Sequence, residues 1–200
     1  MLVYRAFSPR DTRRLGEALG KLLGPGDVVC LEGELGAGKT VFVQGVAAGM
    51  GVRGRVVSPT FTIIHEHPGK VPLYHIDAYR LEGVPDAETV GIEECLYGGG
   101  AVAIEWPERI RELLPEERLD VEIRMLVDDG TDGGGGGRGT SGNGNRGGEG
   151  HHDDEGCRDG DGDDDGDGDG SCAREIVVFP RGERFRRMVE ELKALAGPGY

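Results

Sequence analysis

Residues 2–7 alternate apolar and polar positions well enough for a short strand. Ser8-Pro9 follows as a helix N-cap and first helical position, with Asp11 placed to cap in return. Leu15, Leu19, Leu22 and Leu23 give a helical stripe, and Gly24-Pro25-Gly26 stops it. Asp27 to Leu31 is then a short continuous apolar run, the pattern of a strand buried on both faces. A glycine-bearing loop leads into a helix from about Lys39 to Met50.

Further along, Val56-Val57, Ile63-Ile64 and Leu73 to Ile76 are strand candidates, and residues 86–97 are weakly helical. Ala101 to Ile104 is a second buried strand, and Pro107 to Leu114 a short helix opened by proline. Leu119 to Val127 alternates as a strand whose natural partner is Arg174 to Phe179. The last helix, about 182–196, carries Phe185, Met188, Val189, Leu192 and Leu195 on one face. Short strands alternating with helices predict a single α/β domain with a mostly parallel central sheet.

Composition changes this picture at one place. Residues 128–172 hold 18 of the 38 glycines and 14 of the 37 acidic residues, opposed only by Arg138, Arg146 and Arg158. Three arginines against 14 acids leave that tract at −11, so the rest of the chain carries only −3 of the formal −14. The tract has no aliphatic or aromatic residue to bury, so nothing offsets the entropy of ordering it. A disordered Gly/Asp-rich insertion over 128–173 is expected, inside a domain made of 1–127 and 174–200. Loop closure costs grow only logarithmically, so the fold tolerates it. Asp161 to Gly166 resembles the start of a calcium loop, but the twelfth position is Cys172 instead of a bidentate Glu. His151, His152, Cys157 and Cys172 match no usual zinc spacing.

The near-neutral remainder argues against broad nonspecific nucleic-acid binding, which needs a basic footprint. No apolar run approaches the roughly 20 residues needed to span a bilayer. The first residues lack a basic n-region and an apolar h-region, and Cys30, Cys95, Cys157 and Cys172 form no tight framework. A cytoplasmic protein with reduced thiols is expected.

The strongest chemical signal is Gly33-Glu-Leu-Gly-Ala-Gly38-Lys39-Thr40, which fits G-x-x-x-x-G-K-[ST] with a buried strand before it and a helix after it. Gly33, Gly36 and Gly38, with Ala37, let the backbone bend and bring its N–H groups against a phosphate. The helix start adds a partial positive charge, and the Val41 N–H is expected near the α-phosphate. Lys39 is placed to reach the β- and γ-phosphates, and the Thr40 hydroxyl to ligate Mg²⁺. Such a loop needs acids at the ends of neighbouring strands. Glu105 follows Ala-Val-Ala-Ile and Asp77 follows Leu-Tyr-His-Ile, so both fall at that edge. One would hold Mg²⁺ and the other would orient the attacking water; the sequence does not assign which. Ser58-Pro-Thr-Phe-Thr62 is either a γ-phosphate-sensing switch or a plain Ser-Pro turn.

Four segments together, Leu35 to Thr40, Ser58 to Thr62, His75-Ile-Asp-Ala-Tyr-Arg-Leu81 and Ile104-Glu-Trp-Pro107, resemble the bacterial TsaE (YjeE-type) ATPases of tRNA threonylcarbamoyladenosine (t6A) synthesis. The resemblance covers about 2–127 and resumes at 174. It implies a P-loop NTPase fold and a cytoplasmic ATPase using ATP and Mg²⁺. It implies TsaD and TsaB as partners, which modify adenosine 37 of tRNA, so that tRNA is met only through the complex. ATP hydrolysis would reset that complex between cycles. By the same resemblance, residues 36–41 hold the phosphates, Thr40 and Glu105 bind Mg²⁺, Asp77 is the second essential acid, and Trp106, Glu108 and Arg174 lie near the nucleotide. Trp106 reads equally as packing.

Three other readings compete. A P-loop small-molecule kinase needs an Arg-bearing lid, and no such segment is evident. A GTPase needs an NKxD base-reading motif, which the chain lacks. A nucleotide-gated binding module would bind without turnover.

Overall fold

The computed structural model describes residues 1–126 and 173–197. The insertion expected over 128–172, with the calcium and zinc patterns weighed for it, lies outside the described residues.

Seven strands form one sheet: β1 (Leu2–Ala6), β2 (Val28–Glu32), β3 (Ile64–His67), β4 (Leu73–Asp77), β5 (Ala101–Glu105), β6 (Arg118–Met125) and β7 (Arg174–Arg181). Their order is β1-β7-β6-β2-β5-β4-β3. The four central strands β6-β2-β5-β4 run parallel, while β7 and β1 on one side and β3 on the other add antiparallel edges. The parallel centre is the one that the strand–helix alternation predicts. The expected β6–β7 pairing is also present, from Arg118↔Arg181 to Met125↔Arg174.

Successive side chains of a strand point to opposite faces, and here both faces are covered. Val29 and Leu31 of β2 enter a core with α1 (Pro9–Gly20), α2 (Lys39–Gly49) and α5 (Glu183–Ala196). Val28 and Cys30 enter a second core, with α3 (Val84–Thr89), α4 (Ile92–Tyr97) and a 3-10 helix over Pro107–Leu113. Each such fully buried aliphatic side chain stabilises the fold by about 1.5–3 kcal/mol. Burial pushes the Cys30 thiol up to about 12, so it stays protonated and inert.

The start of α1 follows its sequence pattern. The Asp11 N–H donates to Ser8 Oγ at 3.2 Å, and the Phe7 N–H donates to Asp11 Oδ2 at 3.1 Å. This reciprocal cap satisfies two backbone donors at the helix entrance. α1 lies directly against α2, backbone to backbone. A Cβ on Gly16 would sit 2.3 Å from Phe42 O, and one on Gly45 would sit 2.1 Å from Arg13 O. At the far end of β2, buried Asp27 receives two bonds of 2.5 Å from Arg184 of α5.

Two local expectations change. Val56-Val57 is no strand: the segment is irregular, with Val56 buried and its carbonyl accepting from Gln44 Nε2 at 3.1 Å. Pro59 lacks the N–H a ladder needs, and the edge beside β4 is taken by β3. The weak helix over 86–97 divides into α3 and α4, because Gly91 between them is left-handed at φ 77°. Among the described residues, no helix is long and apolar enough to cross a membrane.

Candidate functional site

The carboxyl ends of β2, β4 and β5 lie side by side. Leu31 pairs with Glu105 and Asp77 pairs with Glu105 in parallel register. The last residues of three neighbouring strands therefore meet at one edge, where crevices form in open α/β sheets. The loop Gly33–Gly38 leaves β2 at this edge and enters α2. Two of its glycines are required by conformation, and the first also by space. Gly33 has φ 151° and a Cβ there would fall 2.4 Å from Ile123 O; Gly38 has φ 101° and caps α2.

Lys39 is the first residue of α2 and turns back over the loop. Its Nζ donates to Gly33 O at 2.7 Å and to Glu34 O at 2.8 Å, and lies 3.8 Å from the Trp106 ring centroid. Burial pulls its pKa below the ordinary value, opposed by the negative charges of Glu105, Asp77 and Glu108, in that order. Trp106 holds a left-handed backbone at φ 61°, uncommon outside glycine, directly after Glu105. It is half-buried, packs on the second core and meets Tyr79 at 5.0 Å between centroids. It is thus both a packing residue and a wall of the loop site.

Glu105 is only 3% exposed, and its Oε1 accepts from Thr40 Oγ1 at 2.9 Å and from His75 Nε2 at 2.9 Å. Asp77, 4% exposed, accepts the Tyr79 N–H at 3.1 Å on Oδ1. Its Oδ2 lies 3.1 Å from Ser58 Oγ and 2.7 Å from Thr60 Oγ1, which are 2.6 Å from each other. Two hydroxyls own two protons, so they satisfy two of these three contacts at a time. The Ser58–Thr62 segment is therefore tied to Asp77 by its hydroxyls.

Arg174, at the start of β7 and 6% exposed, donates from Nε to Ala37 O at 2.9 Å and runs under Gly38. Val41 lies in the first turn of α2, half-buried. Glu108 lies exposed in the 3-10 helix and acts on the site through its charge. The structure brings Gly33, Gly36, Ala37, Gly38, Lys39, Thr40, Asp77, Glu105 and Arg174 to one edge of the sheet. Sequence reasoning missed His75 as the partner of Glu105. Its signal was available: His75 and Asp77 are two apart in a strand and so share a face.

These residues suit a magnesium nucleotide. A glycine-rich loop leads into the start of α2, and the Thr40 hydroxyl and the Glu105 carboxylate stand together beside it. Among the described residues, no three His, Cys, Asp or Glu side chains form a metal cage of their own.

The fold and this edge define a P-loop nucleotide-binding protein of the α/β class. The family model described as threonylcarbamoyl adenosine biosynthesis protein TsaE matches residues 7–130, and the chain belongs to that family. Among curated relatives, the tRNA threonylcarbamoyladenosine biosynthesis protein TsaE of Treponema pallidum is 46% identical over 121 residues, covering 60% of this chain and 90% of the relative. The protein of the same name from Bacillus subtilis is 44% identical over 129 residues, covering 64% of this chain and 80% of the relative. Among solved structures, Bacillus subtilis YdiB superposes with a TM-score of 0.65 at 31% identity, covering 96% of this chain and 93% of that one. Family and fold together place the chain in t6A biosynthesis and support an ATPase activity.

Proposed function

We propose that this chain is a cytoplasmic, Mg²⁺-dependent ATPase whose hydrolysis of ATP resets a TsaB–TsaD transferase between rounds of t6A formation. The observation that carries the reading is the meeting of Lys39, Thr40, Glu105 and Asp77 at the loop edge. Residues 36–41 cradle the phosphates, and Lys39 leaves the Gly33 and Glu34 carbonyls for the β- and γ-phosphates. Thr40 donates its proton to Glu105 Oε1, so the hydroxyl lone pairs are left for the cation, and Glu105 offers its other oxygen. Thr40 and Glu105 would hold Mg²⁺, which would supply positive charge against that developing on the phosphate oxygens. Asp77, pinned by Ser58 and Thr60, is the second acid, and Arg174 braces the loop through Ala37 while adding positive charge. Glu108 lies at the rim. Residues 1–127 and 174–200 make up the ATPase domain, to which 128–173 is dispensable; tRNA is met only through the partners.

The test is phosphate release from ATP and from GTP, with and without TsaB and TsaD. Turnover of ATP that rises with the partners is expected. Phosphate transferred to an added metabolite would favour a kinase. Binding with no turnover under any condition would favour a nucleotide-gated module. No calorimetric heat with magnesium nucleotides would remove the reading altogether.

A further inference from the structure

We propose that His75 is a positioning residue of the magnesium site, acting through Glu105; the inference rests on the reading of that site as one for a magnesium nucleotide. His75 lies in the middle of β4, 0% exposed, and its Nε2 is 2.9 Å from Glu105 Oε1. An ionised carboxylate only accepts, so in this contact Nε2 carries the proton. The same Oε1 accepts from Thr40 Oγ1 at 2.9 Å. Side chains from β4, β5 and α2 thus meet on one oxygen. A glutamate swings on three bonds; two donors converging on one oxygen hold it in a single orientation and leave the second oxygen for a cation.

A histidine that merely fills the core would be a poor choice at this place. Burying an imidazole is costly unless both nitrogens are paired. Among the described residues, His75 Nδ1 has no hydrogen-bond partner, and neither has Nε2 of His67, whose ring lies 6.4 Å away between centroids. An aliphatic residue would fit between Tyr74 and Ile76 at less cost. What the imidazole does that leucine cannot is donate to Glu105. Metal ligands are commonly held by such outer donors, and losing one weakens metal affinity by about 10–100-fold.

The experiment compares His75→Leu, His75→Asn and His75→Gln in the full chain. Two quantities are read: the Mg²⁺ concentration that half-saturates the Mg²⁺-dependent gain in ATP affinity by calorimetry, and the ATP affinity in EDTA. Leu has no donor, and Asn is too short to reach Glu105, so both should raise the half-saturating Mg²⁺ by about tenfold or more. Their ATP affinity in EDTA should match wild type, because Lys39 and the loop are intact. Gln carries an amide N–H at the reach of Nε2 and should restore the requirement to within about threefold. In a Glu105→Gln background, His75→Asn should add nothing further.

A folded His75→Asn protein with the wild-type Mg²⁺ requirement would overturn the proposal. So would an equal loss of affinity in EDTA, an additive effect in the Glu105→Gln background, or failure of both Leu and Asn variants to fold. A wild-type protein whose ATP affinity ignores Mg²⁺ would instead sink the reading of the site itself.

Discussion

Replacing Lys39 by methionine separates what this side chain does for the fold from what it does for a ligand. Methionine keeps the length and loses the charge. In the folded chain the ammonium makes two bonds, of 2.7 and 2.8 Å, to the carbonyls of Gly33 and Glu34. Bonds to a charged group contribute about 1.5–3 kcal/mol each. Against them stands the removal of a cation from water, which costs several kcal/mol. The balance is close to zero, and burial being the largest influence on its pKa, which falls, tells the same story. Lys39→Met should therefore change stability by no more than about 1 kcal/mol, or about 2–4 °C in Tm for a domain of this size.

Binding is another matter. Two lost contacts to phosphate oxygens, at about 1.5–3 kcal/mol each, amount to roughly 10²–10⁴-fold in ATP affinity. Differential scanning calorimetry and isothermal titration on one preparation read both quantities. The pH dependence has a definite sign. A lysine whose folded pKa lies below its unfolded 10.5 carries its folding penalty at all pH values below the folded pKa, and loses it as pH rises toward 10.5. Wild type should thus gain on the methionine variant as the pH climbs through that window. A Tm lowered by more than about 5 °C, beyond what 1 kcal/mol produces, would show Lys39 to be a structural residue. ATP binding within tenfold of wild type would refute its role as the counter-charge.

Three more outcomes are expected. Glu105→Ala should keep ATP binding in EDTA and lower Mg²⁺-dependent phosphate release by at least about 10²-fold, as for loss of a residue that stabilises transition-state charge; wild-type turnover would remove the metal assignment. Deleting 130–170 and closing the chain with a short turn should preserve ATPase activity and raise stability by about 2 kcal/mol through the shorter loop, read as a higher Tm; a large fall in Tm would mean that the tract packs on the domain. Gly45→Ala should lower Tm sharply, because its Cβ would lie 2.1 Å from Arg13 O and overpacking costs about 1–3 kcal/mol or more; an unchanged Tm would mean that α1 and α2 can part freely.

Much of the scaffold was legible because it obeys local rules. The runs at 28–31 and 101–104 are apolar at every position, as strands covered on both faces must be, and Ser8, Pro9 and Asp11 spell a capped helix start. The loop carried its own context, a strand before and a helix after. Val56-Val57 reads as a strand although it is none because two adjacent β-branched residues satisfy any period. The partnerships inside the site were not legible for a different reason. Thr40, His75 and Glu105 meet only because β4, β5 and β2 pair in a particular parallel register, and register is a property of three distant segments together. The stacking of Lys39 on Trp106 needs the left-handed backbone at 106, which no composition rule assigns to tryptophan.

The glycine-to-backbone contact of α1 and α2 has a mechanical consequence. Gly16, Gly20, Gly45 and Gly49 each sit within van der Waals reach of the opposite helix's main chain, with carbonyls where a methyl would have to go. Two rods seated so closely have no side-chain cushion to shear, and the helix that begins at Lys39 travels with its neighbour as one stiff body. Any breathing at this edge is thereby shunted to the other rim, the segments after β4 and β5, where exposed Tyr79 meets Trp106.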